Sequence, residues 1–548
     1  MRRLLVAVIV VFAVLGMLAP LSFAQAPAPK VTINGLVDFV TSGYINTNQH
    51  GTRDVTSSLD KGWTSRERGV FTLIGEVGKT KGVWAVELDF MNGAGSVNGG
   101  NAFGGQNQGQ LHTGISANFD LDTDVAGAVE TKWLYLETPV TGPGSILPFI
   151  PVTTIGRFGA QPARGHQYKG GVLLGGDIPG ATLETRWAPN VRSTVTYVQI
   201  AEALDQVQAP GQKESFAMLA SVEVDVFKGL TVKPTYAYGF WDGGNCGTAF
   251  LGTVGYGGYF PGANCPQIVA GTVAGAAFPG RNIRRHYLGG DVRWTTGPFS
   301  FQPTFLYLLG QQEVPNRNGA LNNVDVRSFI VDTIAGFRTG PWLIETRVMY
   351  TPGVTANHDV QNAGGGTIRT YQPINPGFVY MAGWTEIWTA GTDYTLGLLV
   401  NSRGLALREN PSYDKYGRIF FGISADYALT PSLTLTGLTN VSWTDTKVDT
   451  KGTSGVGLTP GITPSGITTP GNPFVGGKER YLGNEWVLRL SYRFAPNVVL
   501  DLAGAALITG SALNLQRTPA GFGCATHGIL TCQSRDVYKM SSRVRMTF

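Results

Sequence analysis

The last stretch of the chain, Asp536–Phe548, reads DVYKMSSRVRMTF, and its alternation indicates how the chain folds. One set of side chains is apolar or small, and the set between them carries the cations. The first set is Tyr538, Met540, Ser542, Val544, Met546 and Phe548, and the second is Lys539, Ser541, Arg543, Arg545 and Thr547. A repeat of two residues is that of a β-strand whose faces meet different surroundings. An apolar face opposite a charged face predicts a strand in the wall of a membrane β-barrel.

The preceding segment repeats this pattern as a hairpin. Trp486–Phe494 alternates apolar residues with arginines, and Val498–Ile508 returns with Asp501 on the arginine side. Pro496 lies between the two arms, where a residue without a backbone N–H is tolerated. Two alternating runs joined by a short turn predict a β-hairpin.

Similar units recur along the chain. A first strand is predicted at Val31–Phe39, and further hairpins follow it. Their arms are Gly69–Val77 with Val83–Phe90, Thr182–Trp187 with Arg192–Ile200, Phe216–Val226 with Thr231–Phe240, Leu288–Trp294 with Phe299–Leu308, Ser328–Phe337 with Trp342–Tyr350, and Arg418–Tyr427 with Leu433–Trp443. With 75 glycines, 11% aromatic and 14% charged residues, the composition also favours short strands and turns over helices.

The sequence therefore predicts an all-β fold, a transmembrane antiparallel β-barrel over residues 25–548. We expect about eighteen strands, within about sixteen to twenty, with short periplasmic turns and long extracellular loops. The count is about eighteen if Thr351–Lys415 is one excursion and about twenty if Trp384–Val400 adds a pair. A soluble two-sheet sandwich is the alternative. Tryptophans near strand ends favour the membrane: Trp84, Trp187, Trp294, Trp342 and Trp486.

The first residues, Met1–Ala24, predict a secretory signal peptide. They contain two early arginines, an apolar run shorter than the ~20 residues of a spanning helix, and small residues before Ala24. Removing Arg2 and Arg3 from 42 basic residues leaves 40 against 37 acidic ones, a net charge of +3. This near balance indicates no nucleic-acid partner.

Charged residues on the inner face of the predicted strands are candidate pore-lining and selectivity residues. They are Arg186, Arg293, Arg347, Arg418, Arg489, Arg493, Asp501, Lys539, Arg543 and Arg545. Where the signs are mixed, salt bridges across a narrow lumen are an equally weighted alternative. The last three strands carry five of these cations against one acid, Asp501, and such a band favours anionic solutes.

Two long connections contain the four cysteines. Cys246 and Cys265 lie in one, and Cys524 and Cys532 lie in another. In an oxidising compartment, local disulfides within each connection are expected. No metal-binding spacing, covalent haem motif, nucleotide loop or catalytic motif is found, so we expect neither a cofactor nor an enzyme.

Several short pieces resemble the alginate-export branch of Gram-negative porins. They are Ile155–Arg157, Gly171–Gly180 (GVLLGGDIPG), Trp187, Tyr197–Glu202 (YVQIAE) and Leu482–Glu485 (LGNE). That resemblance implies an eighteen-stranded monomeric barrel that passes an anionic polysaccharide. Phe548 is similar to the C-terminal aromatic through which the assembly machinery recognises outer-membrane barrels.

These observations predict a porin in the bacterial outer membrane, surrounded by its lipid. The expected function is passive diffusion of hydrophilic solutes with a mild anion preference. Export of an anionic polysaccharide and a sheath around a partner cytochrome are the alternatives. The solute, the oligomeric state and a constriction by Thr351–Lys415 are left open.

Overall fold

The computed structural model describes fourteen ranges of the chain. They are residues 28–46, 61–93, 129–201, 215–241, 281–315, 321–355, 366–375, 380–381, 383–388, 391–392, 411–413, 416–448, 479–513 and 536–548. The predicted signal peptide, all four cysteines and the Gly/Thr/Pro stretch 450–477 lie outside these ranges.

Within the described ranges, eighteen antiparallel strands form one closed ring, and a short nineteenth strand lies inside it. The strands are β1 (Lys30–Ile45), β2 (Lys61–Val77), β3 (Thr80–Gly93), β4 (Val129–Thr141), β5 (Thr154–Pro162), β6 (Asp177–Ala188), β7 (Val191–Ala201), β8 (Ser215–Phe227), β9 (Leu230–Trp241), β10 (Arg281–Thr296), β11 (Phe299–Pro315), β12 (Leu321–Thr339), β13 (Trp342–Thr351), β14 (Thr367–Ile368), β15 (Arg418–Thr430), β16 (Leu433–Val448), β17 (Glu479–Ala495), β18 (Val498–Thr509) and β19 (Val537–Thr547).

The ring closes where β1 pairs with both β2 and β19. In the β1–β19 register, Leu36 faces Thr547 and Ile45 faces Tyr538. In a closed ring, the backbone N–H and C=O groups of every wall strand can hydrogen-bond to a neighbouring strand. A membrane protein needs this, because lipid offers no hydrogen-bond partners. The closed barrel is confirmed, and the two-sheet sandwich is excluded.

The two faces of the wall follow the predicted alternation. On β19, Met540 is 75% exposed on the outer face, whereas Lys539 is 3% exposed on the inner face. The five tryptophans predicted to face the membrane are all exposed. Four of them, at positions 84, 187, 294 and 342, lie near short turns. The barrel is thus apolar outside and charged inside, as a membrane barrel must be.

The turns define the two ends of the barrel. Gly78–Lys79, Pro189–Asn190 and Gly340–Pro341 join strands at one end with two residues each. The connections at the other end are longer, apart from the five residues 316–320 between β11 and β12. By the usual asymmetry of such barrels, the short turns face the periplasm. The connection of residues 142–153, at the same end as the short turns, is longer than expected.

Two wall strands were missed by the sequence prediction. These are β4 and β5, in which the alternation is interrupted by Pro139, Gly156 and Gly159 and by register shifts at β4. Including them brings the wall to eighteen strands within the described residues. The described residues of Trp384–Val400 contain no strand, so the additional pair is not formed there. Among the described residues, no helix is long and apolar enough to cross a membrane.

Candidate functional site

Two connections from the extracellular end turn inward and pack against the inner face of the wall. The first insert is residues 163–176, between β5 and β6. The second insert lies in the connection 352–417 between β13 and β15, and what is said of it concerns its described residues, 352–355, 366–375, 380–381, 383–388, 391–392, 411–413 and 416–417. Their apolar side chains belong to the same buried cluster as inward-facing wall residues such as Leu219 and Ile330. The inserts therefore narrow the lumen.

The first insert is held by two buried polar side chains. His166 bonds through Nδ1 to Ser221 Oγ at 3.0 Å and through Nε2 to Thr196 Oγ1 at 2.9 Å. Burial, together with nearby Lys233, lowers the pKa of His166 to about 3, so its ring is neutral at physiological pH. Lys169 Nζ donates to Thr304 Oγ1 at 2.8 Å. These bonds fix the insert against β7, β8 and β11.

The second insert contacts the first. Ile374 N–H donates to Leu173 O at 2.8 Å, and the Tyr371 hydroxyl donates to Val172 O at 2.9 Å. Gly175 N–H donates to Asn375 O at 2.7 Å. The described parts of the two inserts are therefore joined to each other inside the barrel.

An ion pair anchors the middle of the second insert to β12 and β13. Arg347 donates from Nε and Nη2 to the two carboxylate oxygens of Asp332, at 2.9 and 2.6 Å. The Tyr380 hydroxyl of the insert donates to Asp332 Oδ2 at 3.1 Å. The Arg347 guanidinium also lies 5.2 Å from the centre of the Tyr380 ring. A bidentate arginine pair of this kind is rigid and directional.

Glu386, six residues after Tyr380, anchors the second insert to another part of the wall. Its carboxylate accepts from Arg489 Nη2 of β17 at 2.6 Å and from Lys539 Nζ of β19 at 3.2 Å. Thr392 donates to it from both its backbone N–H and its hydroxyl, each at 2.7 Å. One buried carboxylate thus joins the insert to two strands of the predicted cationic band.

This carboxylate stays charged over a wide pH range. Burial alone would raise the pKa of Glu386, but Lys539 and Arg489 outweigh burial and lower the pKa from 4.5 to about 2. A lowered pKa in the folded chain stabilises this clamp fully above about 4.5, and that stabilisation is lost as the pH falls through about 2.

A second acid of the wall holds the backbone of the same insert. Glu485 accepts from the N–H groups of Glu386 and Ile387, at 2.6 and 2.8 Å. Asn440 Nδ2 donates to Trp384 O at 2.9 Å. Residues 384–387 are therefore fixed by both their side chains and their main chain.

The structure brings together some of the predicted pore-lining residues and separates others. Arg347, Arg489, Lys539 and Arg543 contact the second insert or its anchor, and Arg418 is buried against Ser442 on the adjoining strands. Arg293 lies over the ring of Tyr168 in the first insert, at 3.9 Å. The others lie away from the inserts: Arg186, Arg493 and Arg545 are near the periplasmic end.

The cationic band has more acidic partners than the sequence indicated. Arg543 Nη2 lies 2.7 Å from Asp501, and Arg545 Nη2 lies 2.5 Å from Asp38. With Glu386, three carboxylates contact four of the five cations, so these eight groups sum to +2. The prediction that Asp501 alone faces the band is wrong, because Glu485 also lies on the inner face of β17, Asp38 comes from the neighbouring first strand and Glu386 comes from the insert.

Most wall charges pair sideways, between strands that are adjacent or nearly so. Examples are Arg192 with Glu223 at 2.5 Å and Lys132 with Glu87 at 2.6 Å. Among the described residues, the ion pairs that join an insert to the wall are those of Glu386 and that of Arg164 with Glu184, at 3.3 Å. Lateral pairs and the inserts therefore take the place of the expected ladder of salt bridges across the lumen.

Several site residues were not predicted: His166, Lys169, Tyr380, Glu386 and Glu485. One signal was present in the sequence, because the second insert is rich in aromatic residues for a connection. Tyr371, Tyr380, Trp388, Tyr413 and Tyr416 are all buried. Such residues indicate packing against a core and not a solvated loop.

The described residues contain no group of three or more His, Cys, Asp or Glu side chains that could hold a metal ion. The cysteine pairs lie outside them, so Cys246 with Cys265 and Cys524 with Cys532 stay a prediction.

Comparison with known proteins gives structural likeness only. No family model matches the chain, and no curated protein matches it. Similar solved structures include the Pseudomonas aeruginosa proteins OpdQ and OccK8 (OprE), each 10% identical. OpdQ has a TM-score of 0.47 over 95% of this chain and 99% of its own. OccK8 has a TM-score of 0.45 over 95% and 98%. The outer membrane protein OpdK of the same organism is 9% identical, with a TM-score of 0.42 over 94% and 99%.

The fold and the site themselves define the class. A closed ring of eighteen strands within the described residues, apolar outside and charged inside, is an outer-membrane β-barrel of the porin type. It lies in the bacterial outer membrane.

Proposed function

We propose that this protein is a channel through which small hydrophilic solutes diffuse passively across the outer membrane, with a mild preference for anions. The number of strands in the wall supports this proposal, because barrels of about sixteen to eighteen strands are wide enough for an aqueous path. The inserts narrow that path but are not a separate plug domain, because they are connections between wall strands.

The net positive charge of the band supports a preference for anions, and its small value explains why we expect that preference to be mild. Four of the five cations pair with three carboxylates, and Glu485 is a further acid on the inner face of β17, so the remaining positive balance is small. Arg493 contributes most directly, because it is exposed on the inner face and no described carboxylate pairs with it. Screening over ~8 Å at physiological salt limits its reach to solutes close to the wall.

Recording from single channels in planar bilayers tests the proposal. The wild type should conduct, with a reversal potential that favours anions. Replacing Arg489, Arg493, Arg543 and Arg545 with glutamate should shift the reversal potential toward cations. The single variant Arg493→Glu should shift it in the same direction, and it disturbs no ion pair of the described residues.

The matched control is Lys447→Glu, which makes the same charge change outside the lumen: Lys447 is exposed on β16 between Thr446, which bonds to the second insert, and the buried Val448. A folded barrel that does not conduct would contradict the channel. Equal shifts for Arg493→Glu and Lys447→Glu would contradict only the role of the band.

Export of an anionic polysaccharide is the second proposal, and it rests on the resemblance of Ile155–Arg157 and Leu482–Glu485 to the alginate-export branch. A uronic-acid oligomer should then block the current at lower concentration than its monomer. The inserts disfavour a cytochrome sheath, because they occupy space that a partner protein would need.

A further inference from the structure

The outer face of the barrel carries a groove across β7–β10. Its volume is about 610 Å³. Ala220 lies between larger neighbours, with Val195 opposite it on β7 and Tyr236 opposite it on β9. Met218 and Tyr236 are 48% and 42% exposed, so the groove opens toward the lipid. The small side chain of Ala220 therefore leaves an apolar recess between its larger neighbours.

Two basic side chains lie at one end of this groove. Arg284 and His286 both line it from β10. In the register, His286 faces Tyr238 and Arg284 faces Phe240, so Arg284 is the nearer of the two to the extracellular end of the strands. The apolar part around Ala220 extends from there toward the middle of the membrane.

Aromatic rings mark the same level as the interface of the membrane. Phe216 packs with Tyr238 and Phe240, each pair with ring centroids 6.0 Å apart, and with Tyr197 at 6.1 Å. Tyr and Phe at strand ends form the girdle that lies at headgroup depth. The basic end of the groove is therefore at the height of lipid phosphates on the extracellular side.

The basic end has unused capacity to bind an anion. Arg284 is exposed, and within the described part of the chain no ion pair joins it to a carboxylate. Asp325, two strands away, is already engaged by Arg327 at 3.1 Å. His286 Nδ1 bonds to the Tyr236 hydroxyl at 2.9 Å. When that hydroxyl donates, the ring proton is on Nε2 and can be donated to a ligand.

We propose that this groove binds one anionic lipid of the extracellular leaflet. Its phosphate lies against Arg284 and His286, and an acyl chain lies along Val195, Met218 and Ala220. The ligand needs both a phosphate and an acyl chain, because Arg284 lies at the end of an apolar groove and not in a polar pocket. The proposal does not depend on the solute that the barrel passes.

Native mass spectrometry of the detergent-solubilised barrel tests this inference. Phosphatidylglycerol and phosphatidylcholine of the same chain lengths are titrated separately, and inorganic phosphate is titrated alone. We expect one retained phosphatidylglycerol per barrel, with much weaker retention of phosphatidylcholine. Arg284→Gln should weaken phosphatidylglycerol retention about tenfold, the effect of one charge-assisted hydrogen bond. Ala220→Phe, which fills the groove, should weaken both lipids.

Each variant has a control on the same outer surface. Lys447→Gln removes an exposed outer cation on β16, and Val222→Phe adds the same ring two residues from Ala220. Neither should change retention, and all variants should keep the mobility shift of a folded barrel on an unboiled gel. Equal retention of the two lipids, or phosphate binding that matches the lipid and is insensitive to Ala220→Phe, would overturn the proposal.

Discussion

Glu386 is unusual among the lumen acids because it meets two cations from strands β17 and β19 while lying in a connection. Arg489 and Lys539 donate to its two oxygens at 2.6 and 3.2 Å, and the side chain is 1% exposed. Removing one partner of such a buried pair typically costs about 3–5 kcal/mol, because the other charge is left without a counter-charge. That is enough to displace a local segment without unfolding the barrel.

We therefore expect Glu386→Gln to loosen the second insert. Single-channel currents should become noisier, and the reversal potential should move further toward anions because Arg489 and Lys539 lose their counter-charge. Glu345→Gln is the control: Glu345 is a half-buried acid on β13, and none of its described contacts is to the insert. Both variants remove one negative charge, so added noise in Glu386→Gln alone reports the insert. Equal noise in both would contradict the clamp.

The second insert, as an element, is separable from the wall. Thr351 at the end of β13 is directly paired with Arg418 at the start of β15, so the ladder does not need the residues between them. The insert instead packs its aromatic residues on inward-facing apolar side chains such as Ile330 and Leu507. Its role is to narrow the lumen.

Replacing residues 352–417 with a short Gly/Asn turn should thus leave a folded barrel with a conductance several-fold higher. Planar-bilayer recording measures the conductance, and the gel mobility of the unboiled sample verifies the fold. A chain shortened instead within 451–477 keeps both inserts and serves as the control for loop removal. An unchanged conductance after loss of the insert would show that the narrowest section lies elsewhere.

The barrel as a whole is closed by the two ends of the wall. Gly35 and Phe548 exchange backbone hydrogen bonds at 2.9 and 3.0 Å. The Phe548 ring packs 6.0 Å from Phe71 and so close to Gly35 that a Cβ there would lie 2.6 Å from it. Phe548 is therefore part of the closure, and it also resembles the signal for assembly.

We expect Phe548→Ala to reduce the yield of folded barrel in the outer membrane, measured as the fraction whose gel mobility changes on boiling. Tyr538→Ala is the matched control, because Tyr538 lies on the same face of the same strand with 45% exposure against 47% for Phe548. Equal yields for the two variants would contradict a special role of the terminal residue.

The wall of the barrel follows from the sequence alone. Alternation is a local property of a strand. Successive side chains point to opposite faces, and this does not depend on which strands become its neighbours. Sixteen of the eighteen described wall strands could be recognised in this way. The alternation fails at β4 and β5, where Pro139, Gly156 and Gly159 remove the side chains that would have shown it.

The contents of the lumen depend on contacts between residues far apart in the chain. Glu386 is 103 residues from Arg489 and 153 residues from Lys539, and no local pattern links an acid in a connection to cations so far away. The strand pattern places a charge on the inner face, but the partner depends on which connection folds inward. The sequence prediction therefore overestimated the positive charge of the band, because it missed Glu485 at the start of the β17 pattern, and because the second insert and the closing first strand supply further carboxylates.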